Sequence, residues 1–272
     1  MSKQQNIAIL GSGNIGLSLA KGLVKAGIYQ PEQIILTRRN VSALTQLAEE
    51  GYQITGINSD AVKQADIVVL AVLPQQLNKL LYEIKPVLKK LKHLLISVVS
   101  GVTCHDIRLQ SGSQVQVVRA MPNTAIAIGQ SMTCIATDNA SAENVGLVKS
   151  LFDTVGVTIQ INEELMTSAT ALCACGIAFF LRSIRAASQG GTEIGFHAQD
   201  ALKMAAQTAK GAADLLLQLS SHPEQEIDKV TSPKGCTIAG LNEMEHNGFS
   251  SAMIKGIKTS AEKAGILYDK EN

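Results

Sequence analysis

The chain has no tryptophan in 272 residues, and aromatics of all kinds make up 3% of it. Its charges nearly cancel, at a formal net +1, and no basic block with interleaved aromatics occurs. Such a chain lacks the electrostatic pull that binding to nucleic acid or to an anionic membrane draws on. Also missing are an apolar N-terminal run suited to a signal peptide and any run of about 18 apolar residues able to span a bilayer. A cytoplasmic protein with small-molecule partners is expected. The five cysteines, Cys104, Cys134, Cys173, Cys175 and Cys236, are odd in number and lack CxxC spacing, so they read as reduced, mostly buried thiols. The five histidines form no HxxxH pair or Cys/His cluster, and no metal is expected.

What is present is a 46% hydrophobic chain, ample for a large core. Up to about residue 160, the runs NIAIL, QIILT, DIVVLAV, HLLISVV, QVQVVRA and GVTIQI alternate with helix-like stretches. That rhythm predicts βαβ units and a parallel sheet covered on both faces. Beyond residue 160 the strand-like runs stop, and helical spacing runs through 164–189, 197–220 and 236–264, with breaks at Gly190-Gly191, His222-Pro223 and Ser232-Pro233-Lys234-Gly235. With no repeat or low-complexity linker, the sequence predicts a Rossmann-like, doubly wound α/β domain over 1–160. An all-α substrate-binding and dimerisation domain follows over 161–272.

Directly after NIAIL comes GSGNIG, with Gly11, Gly13 and Gly16 in GxGxxG spacing, and then the amphipathic LSLAKGLVKAG. Gly11 permits a tight turn, Gly13 lets backbone approach a pyrophosphate, and Gly16 permits close helix-on-strand packing. Ser12, Asn14 and Ile15 complete the loop, whose phosphates would sit on a helix N-terminus. The next strand ends in Thr37, Arg38 and Arg39, where an NAD-specific fold carries an acidic residue. A hydroxyl and two guanidiniums suit a 2'-phosphate and favour NADPH, with NADH as the second choice. Asn58, in GINSD, is a further candidate for the adenosine side. Later, SPKGCTIAGLNEME reads as a turn leading into a helix, in which Ser232 or Thr237 caps the helix or the backbone N–H groups of Gly235 and Cys236 cradle an anion.

Two stretches narrow the reading: VRAMPNTAIAIGQSMT, residues 118–133, and QTAKGAADLLLQLSSHPEQEIDKVTSPKGCTIAGLNEME, residues 207–245. Both resemble the pyrroline-5-carboxylate reductases, which complete proline synthesis by reducing a cyclic imine with NAD(P)H, and the likeness runs from about Asn6 to Leu267. It implies that Ser232, Gly235, Cys236 and Thr237 hold the imino-acid carboxylate and that the Thr237 hydroxyl serves the ring nitrogen as the catalytic group. Met121, Pro122 and Asn123, after a strand, are assigned to the nicotinamide end, and the backbone of Ala71, Val72, Leu73 and Pro74 to the length of the cofactor. The resemblance also implies a homodimer, or an oligomer of dimers, built by interlocking helical halves.

Three departures stand out. Leu73 replaces a lysine common in that family, CACGIAF at 173–179 replaces SGSGPAY, and SPKGCT replaces SPGGTT. Reduction of an imine needs orientation more than a strong acid, because the protonated nitrogen already activates the carbon. Glu163, Glu164 and Glu193 have no partner in spacing and read as solvated, and His197 and His222 as capping or surface groups. A 6-phosphogluconate-type dehydrogenase would need a lysine on the first long helix, and CACGIAFFLRSIR offers none. Leu73 and CACGIAF also leave room for a non-catalytic NADP-binding sensor, and ring size leaves room for a reductase of a different cyclic imine.

Overall fold

The structure, a computed structural model, describes residues 5–112 and 114–268. Its strands are β1 (Ile7–Leu10), β2 (Ile34–Thr37), β3 (Gln53–Thr55), β4 (Ile67–Leu70), β5 (Leu94–Ser97), β6 (Gln116–Met121), β7 (Ser131–Ala136) and β8 (Gly156–Gln160). They form one eight-stranded sheet in the order β3-β2-β1-β4-β5-β6-β7-β8. Helices α1 (Asn14–Lys25), α2 (Thr45–Glu49), α3 (Asn58–Gln64), α4 (Pro74–Ile84), α5 (Cys104–Ser111) and α6 (Ala142–Asp153) occupy the connections.

Strands such as IAIL, IILT and IVVL are buried at every position because both faces of the sheet are covered. Alternation along β1 sorts the two cores. Ile7 and Ile9 join Leu19, Leu23 and Phe152 on one face, while Ala8 and Leu10 join Leu77, Leu81 and Ile107 on the other.

The chain winds outward from β1 in one direction through β2 and β3, and in the other through β4, β5 and β6. The reversal between β1 and β4 leaves a crevice at the carboxyl ends of these parallel strands, where open α/β sheets take their ligands.

The sequence reading missed β3 and β7. The first is short and half-buried, and the second lies inside the stretch read as a motif. β7 also corrects the expectation of a parallel sheet, since it runs antiparallel to β6, with Met121 opposite Cys134. Residues 122–130 are too few for a crossover helix but enough for a reversal. Their 3-10 turn, Thr124–Ile128, packs on α1, with Ile126 buried.

The chain divides into two compact units, residues 1–175 with 260–272, and residues 176–259. Residues 161–175 therefore pack with the sheet. α7 (Met166–Ala169) buries Met166 and Ala169 against Met121, Cys134 and Ala136, and a π-helical turn, Thr170–Cys175, follows it. Residues 260–268 return to the same unit, where the Tyr268 hydroxyl donates to Asn78 at 2.6 Å.

The second unit is helical: α8 (Gly176–Glu193), α9 (Ala198–Leu219), α10 (Pro223–Lys229), α11 (Cys236–His246) and the start of α12 (Phe249–Ala264). α9 packs on α8, with Gly191 against Ala201. The predicted break at His222-Pro223 starts α10, where the His222 Nδ1 accepts the Glu224 N–H. The long predicted helix over 236–264 is two helices, parted at Gly248 with φ +76°.

One expectation from composition is corrected. The helical run Glu163–Glu193 contains an 18-residue stretch of mean hydropathy 1.6 and is, by length and composition, long and apolar enough to cross a membrane. Serine, threonine and glycine interrupt its apolar residues, which hid it from a search for unbroken runs.

Candidate active site

The glycine loop sits where β1 ends, and its glycines are explained by what surrounds them. At Gly11, with φ +101°, an added Cβ would lie 2.5 Å from the Ala71 carbonyl oxygen. At Gly16 it would lie 2.6 Å from the Gly11 oxygen and 2.9 Å from the Ile9 side chain, so α1 is pressed directly onto β1. Gly13 has open space over it. It also caps α1 with no side-chain hydrogen bond, leaving the first-turn N–H groups of Asn14 and Ile15 for an outside acceptor.

Ser12 is 1% exposed; its N–H donates to the Thr37 carbonyl at 2.9 Å, while its hydroxyl has no partner among the described residues. An orphaned buried hydroxyl, an uncapped helix start and open space over Gly13 together fit a pyrophosphate.

Thr37 is 2% exposed, and its hydroxyl is engaged within the fold. It accepts the Gly11 N–H at 3.3 Å and donates to the Asn58 Oδ1 at 2.6 Å. Asn58 is held in turn by Glu83, whose carboxylate accepts the Asn58 backbone N–H at 2.9 Å and its side-chain amide at 2.8 Å. This relay ties the ends of β1 and β2 to α3 and α4. Glu83 was missed in the sequence, because its link to Asn58 spans 25 residues with no local signature. Arg38 and Arg39 follow Thr37 and are exposed, so their guanidiniums are free of the core.

The β4 end is bound to the loop by the Ala71 N–H, which donates to the Leu10 carbonyl at 2.8 Å. Leu73 is 64% exposed and caps α4 through its carbonyl, and Pro74 takes the first helical position. Because that capping contact is made by backbone, it tolerates leucine in place of lysine.

At the end of β6, Met121 and Pro122 are buried. Asn123 is fixed on three sides. Its N–H donates to the Ser131 hydroxyl at 3.0 Å, its Oδ1 accepts the Ala125 N–H at 3.0 Å, and its Nδ2 donates to the Cys173 carbonyl at 3.3 Å.

Glu163 corrects the expectation that it is solvated. Its Oε1 accepts the Cys104 N–H at 2.7 Å and pairs with the buried Arg119 at 3.2 Å, across 44 residues that no spacing rule would link. Cys104, Asp138 and Glu163 form a compact group, but Arg108 pairs with Asp138 and Arg119 with Glu163. Burial and the Glu163 charge push the Cys104 thiol up to about 12, which disfavours the thiolate that a metal would need.

In the helical unit, Ser232, Gly235, Cys236 and Thr237 form the turn and first residues of α11. Gly235 caps the helix with extended backbone and no side-chain hydrogen bond, so the N–H groups of Cys236 and Thr237 start an uncapped helix. An added Cβ at Gly235 would lie 2.4 Å from the Ser232 hydroxyl oxygen. Lys234 stands at φ +60°, the left-handed conformation that the glycine in SPGGTT would adopt without strain.

A glycine loop at a strand-order reversal, with a separate helical unit after it, defines a dinucleotide-binding fold of the doubly wound class. The family model described as pyrroline-5-carboxylate reductase dimerisation matches residues 163–267, and the one described as NADP oxidoreductase coenzyme F420-dependent matches residues 6–101. Pyrroline-5-carboxylate reductase 1 of Dictyostelium discoideum is 54% identical over 96% of the chain, and the chain spans 50% of that relative's length. Pyrroline-5-carboxylate reductase 2 of the same organism is 51% identical over 97% of the chain and 93% of its own length. Among solved structures, the Plasmodium falciparum pyrroline carboxylate reductase with NADP bound is similar at TM-score 0.87 and 25% identity, over 97% of this chain and 98% of that one. The chain belongs to the pyrroline-5-carboxylate reductase family.

The Thr37 relay yields a test. Thr37→Val leaves the Gly11 N–H and the Asn58 Oδ1 without their partner in a part-buried place, which costs about 1 kcal/mol. Urea denaturation will show that loss, and calorimetric titration will show NADPH binding weakened with it. Unchanged affinity in a folded variant would mean that the relay does not shape the loop.

Proposed function

We propose that this chain reduces 1-pyrroline-5-carboxylate to L-proline, with NADPH preferred over NADH as the donor. The observation that supports the reading is that both of the family's motif regions lie at helix starts without a side-chain cap: GSGNIG after β1 and SPKGCT before α11. Both are built from backbone groups, which the side-chain departures leave intact. The bound nicotinamide supplies the hydride.

In this reading the loop N–H groups and Ser12 bind the pyrophosphate. Arg38 and Arg39 meet a 2'-phosphate that an acidic residue would repel. Asn123, held by three hydrogen bonds, orients the nicotinamide end, and the Ala71–Pro74 backbone flanks the cofactor. The first N–H groups of α11 take the substrate carboxylate, favoured by the positive end of the helix dipole. The Thr237 hydroxyl hydrogen-bonds the ring nitrogen as it passes from iminium to amine. This orientation supplies most of the rate, because the iminium carbon is already electrophilic.

The reading extends to a homodimer through the helical unit. Phe180, Leu181, Phe196, Leu217, Val230 and Ile254 are all exposed, and the dimerisation family model covers the same stretch. An apolar surface of this kind on a lone chain calls for a partner, and a second copy is the partner proposed. Five free thiols support a cytosolic location.

The deciding experiment follows NADPH loss with 1-pyrroline-5-carboxylate, beside NADH and a six-membered cyclic imine as comparators. Saturable turnover, fastest with NADPH and the five-membered ring, is expected. Thr237→Ala should lower kcat by about tenfold, the equivalent of one hydrogen bond of about 1.4 kcal/mol. Tight NADPH binding with no turnover of either imine would instead favour the sensor. Light scattering should give at least twice the 28.8 kDa chain mass, and a fully active monomer would refute the dimer.

A further inference from the structure

Behind the end of β6 lies a cluster of sulfur atoms of which the substrate and cofactor reading uses Met121 alone. Met121, Cys134 and Met166 are buried in one small core, with Cys173 packed on it. Cys134 lies on β7, directly opposite Met121, and Cys173 lies on the π-helical turn Thr170–Cys175. The two Sγ atoms stand 3.8 Å apart, across 39 residues of sequence.

The thiols differ in surroundings. Cys134 is buried and Cys173 half-exposed, so a small oxidant reaches Cys173 first. The expectation of mostly buried thiols thus holds for Cys104 and Cys134, while Cys173 and Cys175 are half-buried and Cys236 is exposed. In the pattern SGSGPAY the position of Cys173 is a serine, so the dithiol departs from that pattern.

We propose that Cys134 and Cys173 are a redox modification site: a peroxide converts them to a reversible disulfide that loosens the cofactor site through Asn123. The Cys173 thiolate attacks one peroxide oxygen, the O–O bond breaks, and the departing hydroxide takes a proton from solvent to become water. Cys173 is then a sulfenic acid. The Cys134 sulfur attacks the Cys173 sulfur, the S–S bond forms, the S–O bond breaks, and the Cys134 proton leaves with the hydroxide as a second water. Two thiols are oxidised by two electrons, and one peroxide is reduced to two waters.

The geometry supports both the bond and its consequence. The sulfurs must close from 3.8 Å to the bonded distance of about 2.05 Å. Cys173 sits in a π-helical turn, an irregularity that regular α-helix lacks, and such turns cluster at functional sites. The Sγ–Sγ contact, in which either thiol can donate, holds the Cys173 thiol below its ordinary value, while the same contact and then burial push Cys134 up. Cys173 is therefore the attacking thiol and Cys134 the resolving one. Because the Cys173 carbonyl accepts the Asn123 amide at 3.3 Å, any shift of the turn toward β7 is passed to the residue two places after Met121.

The disulfide is independent of the proposed reductase activity, and binding of NADPH serves as its readout, so the two readings fail separately. The full chain is treated with hydrogen peroxide, blocked with N-ethylmaleimide, digested with trypsin and analysed by mass spectrometry. A linked peptide pair joining Cys134 to the peptide with Cys173 and Cys175 is expected, and dithiothreitol should reverse it. Cys175→Ser should keep the link, and Cys173→Ser and Cys134→Ala should each abolish it. Cys134→Ala should leave a sulfenic acid on Cys173 that dimedone traps. NADPH affinity should fall several-fold on oxidation and return on reduction.

Peroxide-treated protein with both thiols still open to N-ethylmaleimide after unfolding, or a link through Cys175, would overturn the site. A Cys134–Cys173 bond with unchanged NADPH affinity would overturn its coupling to the cofactor.

Discussion

The approach of Gly11 to the backbone of Ala71 is the constraint on which the rest of the site depends. No side chain fits between them, so the loop after β1 lies directly against the end of β4. Two other contacts hold that arrangement: the Ala71 N–H on the Leu10 carbonyl, and the packing of Gly16 on Gly11 and Ile9. Once the loop is fixed, α1 starts over the crevice. The turn after β6 then has a surface to rest on, which brings Asn123 to the same edge as the loop. The Thr37–Asn58–Glu83 relay braces the loop from the other side.

What was legible in the sequence was local. GSGNIG between an apolar run and an amphipathic helix specifies its own turn. The runs IAIL, IILT and IVVL announce strands covered on both faces. Arg38 and Arg39 are visible because one residue type occupies a place where the other charge is usual. Distant contacts left no such signature: Glu163 with Arg119, Glu83 with Asn58, Cys134 with Cys173. Each joins residues tens of positions apart, and topology alone brings them together. β7 was hidden for a related reason, since its strand character overlaps a stretch that reads as a turn motif. The division at Gly176, later than residue 160, reflects Met166 and Ala169 filling a hollow beside Met121 that no helical periodicity reports.

The two regions proposed to bind cofactor and substrate share one physical device. Each is a helix start without a side-chain cap, preceded by glycine, which leaves first-turn backbone N–H groups for the anion that the proposed function assigns to it. This explains how the chain departs from its family at Leu73, Lys234 and the CACGIAF stretch while keeping the features that its membership rests on. The same freedom admitted the Cys134–Cys173 pair, which adds a chemistry that the serine of the family pattern lacks.

The central claim is that close backbone packing at Gly11 creates the cofactor site. Gly11→Ala, titrated with NADPH by calorimetry and checked by circular dichroism, tests it most directly. The account predicts a folded protein whose NADPH binding is lost, because the methyl group must push the loop away from Ala71 and close the space over Gly13. Wild-type affinity in that variant would contradict it.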